Sequence, residues 1–414
     1  MENKSNQHEI LTVGQLLNDD GTLKEPGFSR HMITHYNREK IAKSSLKIKE
    51  WDYYLITNGK KGVALTVADN GYMGMMSVSV LNFENDGNKK PSEHTNSIMT
   101  LLPRGKFNLP YSSKAGTTSF SNKKCDFSFT AEPTGEGDKA KRILQVRFDN
   151  FDGKKTFTCK IELTDEPDDS MVIVTPYKED DKAFYFNQKI VGMKASGWAQ
   201  VSDKTDCAGS EDSSSNKTES ERIEFDKLDA TGLLDWGRGV WTPENTWYWG
   251  AASGYIDGHS FGWNIGYGFG DTTSASENML FYDGIAHKLD RVKFNIPLKN
   301  AAGSASSGDG GSGDATTGDA PLDDDWIANP ANPKKHLSEI HDFTKPWTFT
   351  SNDGRFEMNF TPIIDRNACI DFKILCSDQH QVFGKFDGKA ILDDGKEITV
   401  KDFFGFAEKV HNKW

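Results

Sequence analysis

The sequence predicts an all-β fold of many antiparallel strands, arranged as a sandwich or closed barrel with few helices. Helical periodicity is scarce, and turn signals recur about every ten residues. Several segments alternate large apolar residues with small or polar ones, the period of an extended strand. Closure into a barrel or sandwich removes the exposed edges that invite aggregation.

The first half reads as a meander. Trp51–Thr57 is a strand, Asn58–Gly62 a turn, and Val63–Ala68 the returning strand. Asp69-Asn70-Gly71 then turns the chain into the apolar run Tyr72–Phe83. Asp and Asn tolerate a positive φ and Gly adopts it freely, which suits a tight antiparallel connection. Cys125–Ala131, Ile143–Asp149, Lys155–Leu163 and Met171–Pro176 continue the series. None of the alternating strand–helix units of a nucleotide-binding parallel sheet is present.

The second half has clearer hairpins. Asn245–Ser253 and Ser260–Phe269 flank the turn Gly254–Gly258, and Met279–Tyr282 and Ile285–Leu289 flank Asp283-Gly284. Ala390–Leu392 and Ile398–Val400 flank Asp393–Gly395, and Phe403–Val410 is a last strand. The expected division is an N-terminal β domain over 1–185 and a C-terminal one over 186–414. Two flexible insertions are expected, at 202–221 and 301–335. Ser202–Glu221 is polar and nearly free of apolar residues, and Ala301–Asp325 is a Gly/Ser/Ala/Asp tract. Such segments bury too little apolar surface to offset their ordering entropy.

At 414 residues the chain is long enough for two domains. A net charge of −12 with scattered lysines argues against nucleic acid or an anionic membrane as partner. No apolar run approaches the roughly 20 residues of a membrane-spanning helix, so no integral membrane contact is expected. The start MENKSNQHEI lacks an apolar stretch of signal-peptide type, and the expected location is cytoplasmic. The cysteines Cys125, Cys159, Cys207, Cys369 and Cys376 form no CxxC pair, so reduced thiols and no metal site are expected.

The densest chemistry lies between Asp235 and Asp271, where Trp236, Trp241, Trp247, Trp249 and Trp263 fall among glycines. Phe261, Trp263, Ile265, Tyr267 and Phe269 share one face of a strand, while glycines, Ser260 and Asn264 occupy the other. Core packing accounts for any single ring, at about 2–3 kcal/mol each. It explains less well why Asp235, Arg238, Glu244 and Asn245 interleave with the rings, because such groups need partners if buried. Aromatic walls with a few convergent polar groups are what a small-molecule pocket looks like. Hairpin register decides the outcome. An odd-to-even alignment sets Trp247 and Trp249 opposite the glycines, whereas odd-to-odd leaves the glycine face open for a ligand or another strand.

Other motifs carry less. Gly266–Gly270 lacks the GxGxxG spacing of a dinucleotide loop, and GxSxG does not occur. His31 and His35 suit a metal only on a helix and lack a third ligand, so they read as a surface pair. His380, in Asp378-Gln379-His380, is a titratable side chain at a strand start, where a turn bonded to its own backbone is the commoner arrangement. Glu277 and Glu408 lie in aromatic surroundings that suit a general acid of raised pKa, or else face solvent.

At these residues the chain resembles a known family. LKEPGFSR, IKEWDYYLI, VADNGYMG, DWGRGVWTPENTWYWGAASG, FGWNIGYGFGD, ENMLFYDG, TSNDGRFEMNF, SDQHQVFG and KDFFGFAEKV together look like domain-of-unknown-function family 2804. A more distant likeness, in the order NQKI…SGW, GRGVWTPENTW and GFAEKV, is to the carotenoid hydratase and AttH-like group. That resemblance implies two lipocalin-like antiparallel β-barrel or sandwich domains. It also implies a hydrophobic, often isoprenoid, small-molecule partner and chemistry without a cofactor. Gly239, Trp241, Glu244, Trp247 and Glu408 fall on the positions that the pattern marks.

The expected activity is binding of a hydrophobic small molecule in a Trp-lined pocket, with acid-catalysed hydration, cyclisation or isomerisation as its chemistry. Glu244 and Glu408 are the candidate acids, with Arg238 pairing Asp235 or orienting the acid. Asp235, Trp236, Arg238, Trp241, Asn245, Trp247, Trp249, Trp263, Tyr267, Asp271 and His380 are the candidate ligand contacts. A non-catalytic lipid carrier and a carbohydrate-binding or hydrolysing protein are the alternatives.

Overall fold

The computed structural model describes residues 7–87, 89–203, 221–299, 336–372 and 375–413. Its described residues form an all-β protein of two large curled antiparallel sheets and a small parallel pair, Gly14–Gln15 with Thr34–His35. Three short strands come first: β1 (Gly14–Gln15), β2 (Gly27–Ser29) and β3 (Thr34–His35). A meander follows in β4 (Ile48–Thr57), β5 (Lys61–Asp69), β6 (Met73–Asn82) and β7 (Ser92–Leu101). Next come β8 (Gly116–Ser121), β9 (Cys125–Pro133), β10 (Ala140–Asp152) and β11 (Lys155–Thr164). The first sheet is completed by β12 (Met171–Tyr177), β13 (Asp180–Asp203), β14 (Glu221–Phe225) and β15 (Thr231–Val240). Its main path runs β7-β6-β5-β4-β15-β13-β11-β10-β9-β8.

The second sheet begins with β16 (Glu244–Ile256), β17 (His259–Tyr267), β18 (Met279–Tyr282), β19 (Ile285–Lys288) and β20 (Val292–Asn295). A one-turn helix, α1 (Leu337–Ile340), precedes β21 (Trp347–Ser351). Three long strands follow, β22 (Phe356–Phe372), β23 (Leu375–Ile391) and β24 (Glu397–Lys413). Their order is β19-β18-β17-β16-β24-β23-β22-β21-β20. The hairpin turns Asp257-Gly258 (φ 51° and 84°) and Asp283-Gly284 (φ 47° and 81°) are left-handed at both central residues. That is the type I′ geometry whose twist matches the flanking strands.

The change of sheet comes between Val240 and Glu244, whereas the division expected at 185/186 falls inside β13. Strand β13 spans 24 residues and serves two sets of neighbours. Its first part pairs with β12 and its last part with β11 and β14, while β15 runs along the middle. A bulge at Gly192, with φ +92°, shifts the register against β15 and bends the strand. The expected insertions lie outside the described residues except at their edges, where Ser202–Asp203 ends β13 and Glu221 opens β14.

One apolar cluster fills the second sheet's own curl, with Trp263, Trp347, Phe360 and Phe386 at its centre. The other fills the first sheet and continues into the seam between the sheets, where Tyr53 and Leu55 join Trp249, Phe383 and Phe406. Phe83 bridges the seam, 5.0 Å from Phe383 and 4.6 Å from Phe404 between ring centroids. No described helix is long and apolar enough to cross a membrane.

Candidate functional site between the sheets

Side chains directly opposite one another in a sheet share a face. In the first sheet Asp235 stands opposite Tyr53 on one side and Lys189 on the other. In the second, Glu408 stands between Trp249 and Gln381, and Gln381 is opposite Arg366. These two rows face each other across the seam and touch. Tyr53 OH donates to Gln381 Oε1 at 3.3 Å, and the Tyr53 and Trp249 rings meet edge-on at 5.9 Å.

Lys189 is the hub of the first row. Its buried ammonium donates to Glu277 Oε2 at 3.0 Å, Asn187 Oδ1 at 3.0 Å and Tyr185 OH at 3.1 Å. It lies 3.7 Å from Asp235 Oδ1 and 4.9 Å from the centroid of Trp249, a cation–π contact. Asp235 also accepts from Trp51 Nε1 at 3.0 Å and from Asn187 Nδ2. Burial works against the Lys189 charge, but Asp235 and Glu277 outweigh it and raise its pKa, so it stays an ammonium.

Glu408 is the hub of the second row. Its Oε1 accepts from Trp247 Nε1 and its Oε2 from Gln381 Nε2, both at 3.1 Å. Gln381 is held in turn by Arg366, whose guanidinium donates to Gln381 Oε1 at 2.7 Å. Burial pushes the Glu408 carboxyl up to about 7, against the hydrogen bond from Trp247, and the negative charge of Asp235 adds to the rise. A carboxyl near half-protonation at neutral pH can give or take a proton.

The glycines of the tryptophan-rich segment have a packing reason. A Cβ on Gly237 would lie 1.9 Å from the Trp51 ring, and one on Gly266 would lie 2.8 Å from Glu277 Oε1. Hairpin register is odd-to-even, with Trp249 opposite Gly266 and Ala251 opposite Asn264. Trp249 and Glu277 therefore fill the bare face of β17. Trp249 Nε1 donates to Asn264 Oδ1 at 2.7 Å, and Asn264 Nδ2 donates to the Glu277 carbonyl at 2.8 Å. The rim is aromatic. Phe269 stacks on Tyr185 at 4.3 Å and on Trp247 at 4.7 Å, and Trp241 packs on Trp51 at 5.1 Å. Trp51, Trp241 and Trp247 are half-buried there. Two small clefts open farther along the seam, one beside Leu55, Leu233 and Phe404, the other beside Val191, Ser253 and Phe281. No tryptophan lines either.

The structure brings Asp235, Trp241, Trp247, Trp249 and Glu408 together at the seam and places several other candidates elsewhere. Arg238 points to the opposite face of β15 from Asp235, because adjacent strand residues alternate. It is buried in the first sheet, donating to Asp52 Oδ1 at 3.1 Å and to the carbonyls of Trp51 (2.8 Å) and Pro110 (3.0 Å). Trp236 shares that face, its ring 4.0 Å from the Arg238 guanidinium. Glu244 is exposed and pairs with Lys413 at 3.0 Å, so it is no candidate acid. Asn245 closes a local turn by donating to the Thr242 carbonyl at 2.6 Å.

Trp263 and Tyr267 pack inside the second sheet rather than at the seam. Phe269, expected on their face, leaves it because β17 ends at Tyr267 and Gly268 reverses the backbone with φ +105°. Asp271 caps a turn by accepting from Thr273 N at 3.0 Å. His380 lies on the far face of β23 from Gln381, stacked on Phe343 at 3.9 Å. His31 approaches Asp169 at 3.6 Å, while His35 sits in the short strand β3.

Sequence reasoning missed Lys189, Asn187, Tyr185, Trp51, Tyr53, Gln381 and Arg366 as site members. The available signal was a lysine, an asparagine and a tyrosine at alternate positions of one apolar strand, Tyr185–Lys189.

Fold and seam together define an all-β protein of two curled sheets with a buried, charged and ring-walled row between them. The chain belongs to the family described as Domain of unknown function (DUF2804), which matches residues 7–414. No curated protein matches the sequence. Among solved structures, kievitone hydratase from Nectria haematococca is similar at 10% identity and a TM-score of 0.42, over 88% of each chain. An AttH-like protein from Nitrosomonas europaea is similar at 11% identity and a TM-score of 0.45, over 90% of this chain and 95% of that one. CghA with Sch210972 shares 8% identity at a TM-score of 0.39, over 96% of this chain and 97% of its own.

Proposed function

We propose that this protein binds a hydrophobic small molecule at the seam and uses Glu408 as the proton donor of a cofactor-free hydration, cyclisation or isomerisation. The observation that carries the reading is Glu408 itself, a buried carboxyl raised to about 7 between Trp247 and Gln381. For hydration, neutral Glu408 adds its proton to one alkene carbon and leaves a cation on the other. Water attacks that carbon and returns a proton to the Glu408 carboxylate, so the sum is one water added. The half-buried Trp247 ring favours the cation, and low local dielectric strengthens that attraction. Lys189 holds Asp235 and Glu277 in place beside the path. Access requires the rim rings of Trp241 and Trp247 to part.

A carrier role would use the same seam without turnover. A carbohydrate role fits less well, because Asp235, Glu277 and Glu408 are buried rather than set across an open groove. Full-length protein incubated with a lipid extract, followed by mass spectrometry of bound and released molecules, tests the proposal. The expected result is a retained apolar molecule together with a product shifted by the mass of water or isomerised. Glu408→Gln should keep the ligand and lose the product, while Trp247→Ala should lose the ligand and stay folded. Return of the ligand unchanged by the wild type makes the protein a carrier. If Trp247→Ala unfolds and the wild type retains nothing apolar, the seam is core and no more.

A further inference from the structure

The second sheet carries, on the face away from the seam, a set of donors that the seam chemistry does not use. In the β22–β23 hairpin Cys369 stands opposite Asp378, and Asp371 opposite Cys376, so all four share a face. His336, which immediately precedes α1, comes down on this face from a distant part of the chain. Its Nδ1 lies 3.2 Å from Cys369 Sγ and 3.7 Å from Asp378 Oδ2. One ligand atom from each of His336, Cys369 and Asp378 lies within 4.8 Å of the others.

We propose that His336, Cys369 and Asp378 form a binding site for a thiophilic divalent cation of the zinc type. Four-coordinate zinc with bonds of about 2.0–2.3 Å to nitrogen, oxygen and sulfur places its ligand atoms roughly 3–4 Å apart, the spacing of His336 to its two partners. Sulfur with imidazole nitrogen selects zinc or a similar transition ion over magnesium or calcium, which take oxygen ligands. A thiolate and a carboxylate together neutralise a divalent charge, leaving the imidazole neutral.

The supporting contacts are those of a metal ligand held in place. Asp378 is buried and accepts from the Leu337 backbone N–H at 2.6 Å, which docks the start of α1 on the hairpin. Its other oxygen lies 3.6 Å from His380 Nε2, and His380 Nδ1 is 2.7 Å from Asp365 Oδ2. Three protein ligands leave the fourth position to water. A cation here would tie His336 and α1 to the β22–β23 hairpin. Its role is therefore structural and independent of Glu408, which faces the seam.

Cobalt(II) and zinc(II) titration of the reduced, chelator-treated full chain tests this site. One cobalt per chain should bind with a thiolate-to-cobalt charge-transfer band, and zinc should displace it. Cys369→Ser should abolish the band, and His336→Gln should weaken zinc binding by at least about tenfold. Cys369 is exposed and His336 half-buried, so both variants should fold. Zinc should raise the melting temperature of the wild type and not that of His336→Gln. Absence of the band, or its persistence in Cys369→Ser, overturns the assignment.

Discussion

Glu408 stabilises the fold most as the neutral acid. Between the ordinary carboxyl value of 4.5 and its folded value of about 7, the folded chain holds a proton that the unfolded chain has released. Its contribution is therefore complete below the lower value and is lost as pH rises through the upper one. Glu408→Gln should flatten this slope and should be more stable than the wild type above pH 7, by up to about 3 kcal/mol. Urea denaturation at several pH values checks it, and an unchanged slope would show that Glu408 is charged in the fold. Lys189 has the opposite logic, because its charge is what its neighbours require. Lys189→Met leaves Asp235 and Glu277 buried without their cation and should cost about 3–5 kcal/mol in denaturant midpoint experiments. At this scale the sequence marked Asp235, Trp247 and Glu408 because acids among rings need partners. It did not mark Lys189, since a lysine in a strand is ordinarily a solvated side chain.

The strands decide which residues meet. Asp235 and Arg238 are three apart, so alternation along β15 sends one to the seam and the other into the first sheet. That parity was available from the sequence once Thr231–Val240 was recognised as a strand of its own. Gly237 shares the seam face with Asp235 and leaves room for Trp51, whose indole donates to Asp235. Gly237→Ala should push the Trp51 ring off this position, cost about 1–3 kcal/mol by overpacking, and shift tryptophan emission to the red. An unshifted spectrum with wild-type stability would show that the ring relaxes without loss. The hairpins at Asp257-Gly258 and Asp283-Gly284 were legible because their residues suit left-handed turns. The 24-residue β13 was not, because its bulge at Gly192 depends on two different sets of partners.

The two sheets share one apolar cluster across the seam, in which Tyr53, Leu55 and Phe83 of the first pack with Trp249, Phe383 and Phe406 of the second. Neither sheet buries its seam face alone. Unfolding should therefore be a single transition, with tryptophan fluorescence and far-ultraviolet circular dichroism coincident in denaturant. Two separated transitions would show that the sheets are independently stable. Composition, turn spacing and alternation by themselves determined the strand-rich class, the sharp hairpins and three of the seam rings, Trp241, Trp247 and Trp249. Those properties are local, set by period and by backbone preference within a few residues. Which sheet each strand joins, the pairing of Lys189 with Asp235 and Glu277, and the burial that raises Glu408 were decided only by the tertiary structure. The pairing joins residues up to 88 positions apart, as in Lys189 and Glu277, and no local preference encodes a contact of that range. A carboxyl's pKa, likewise, follows from what surrounds it in space.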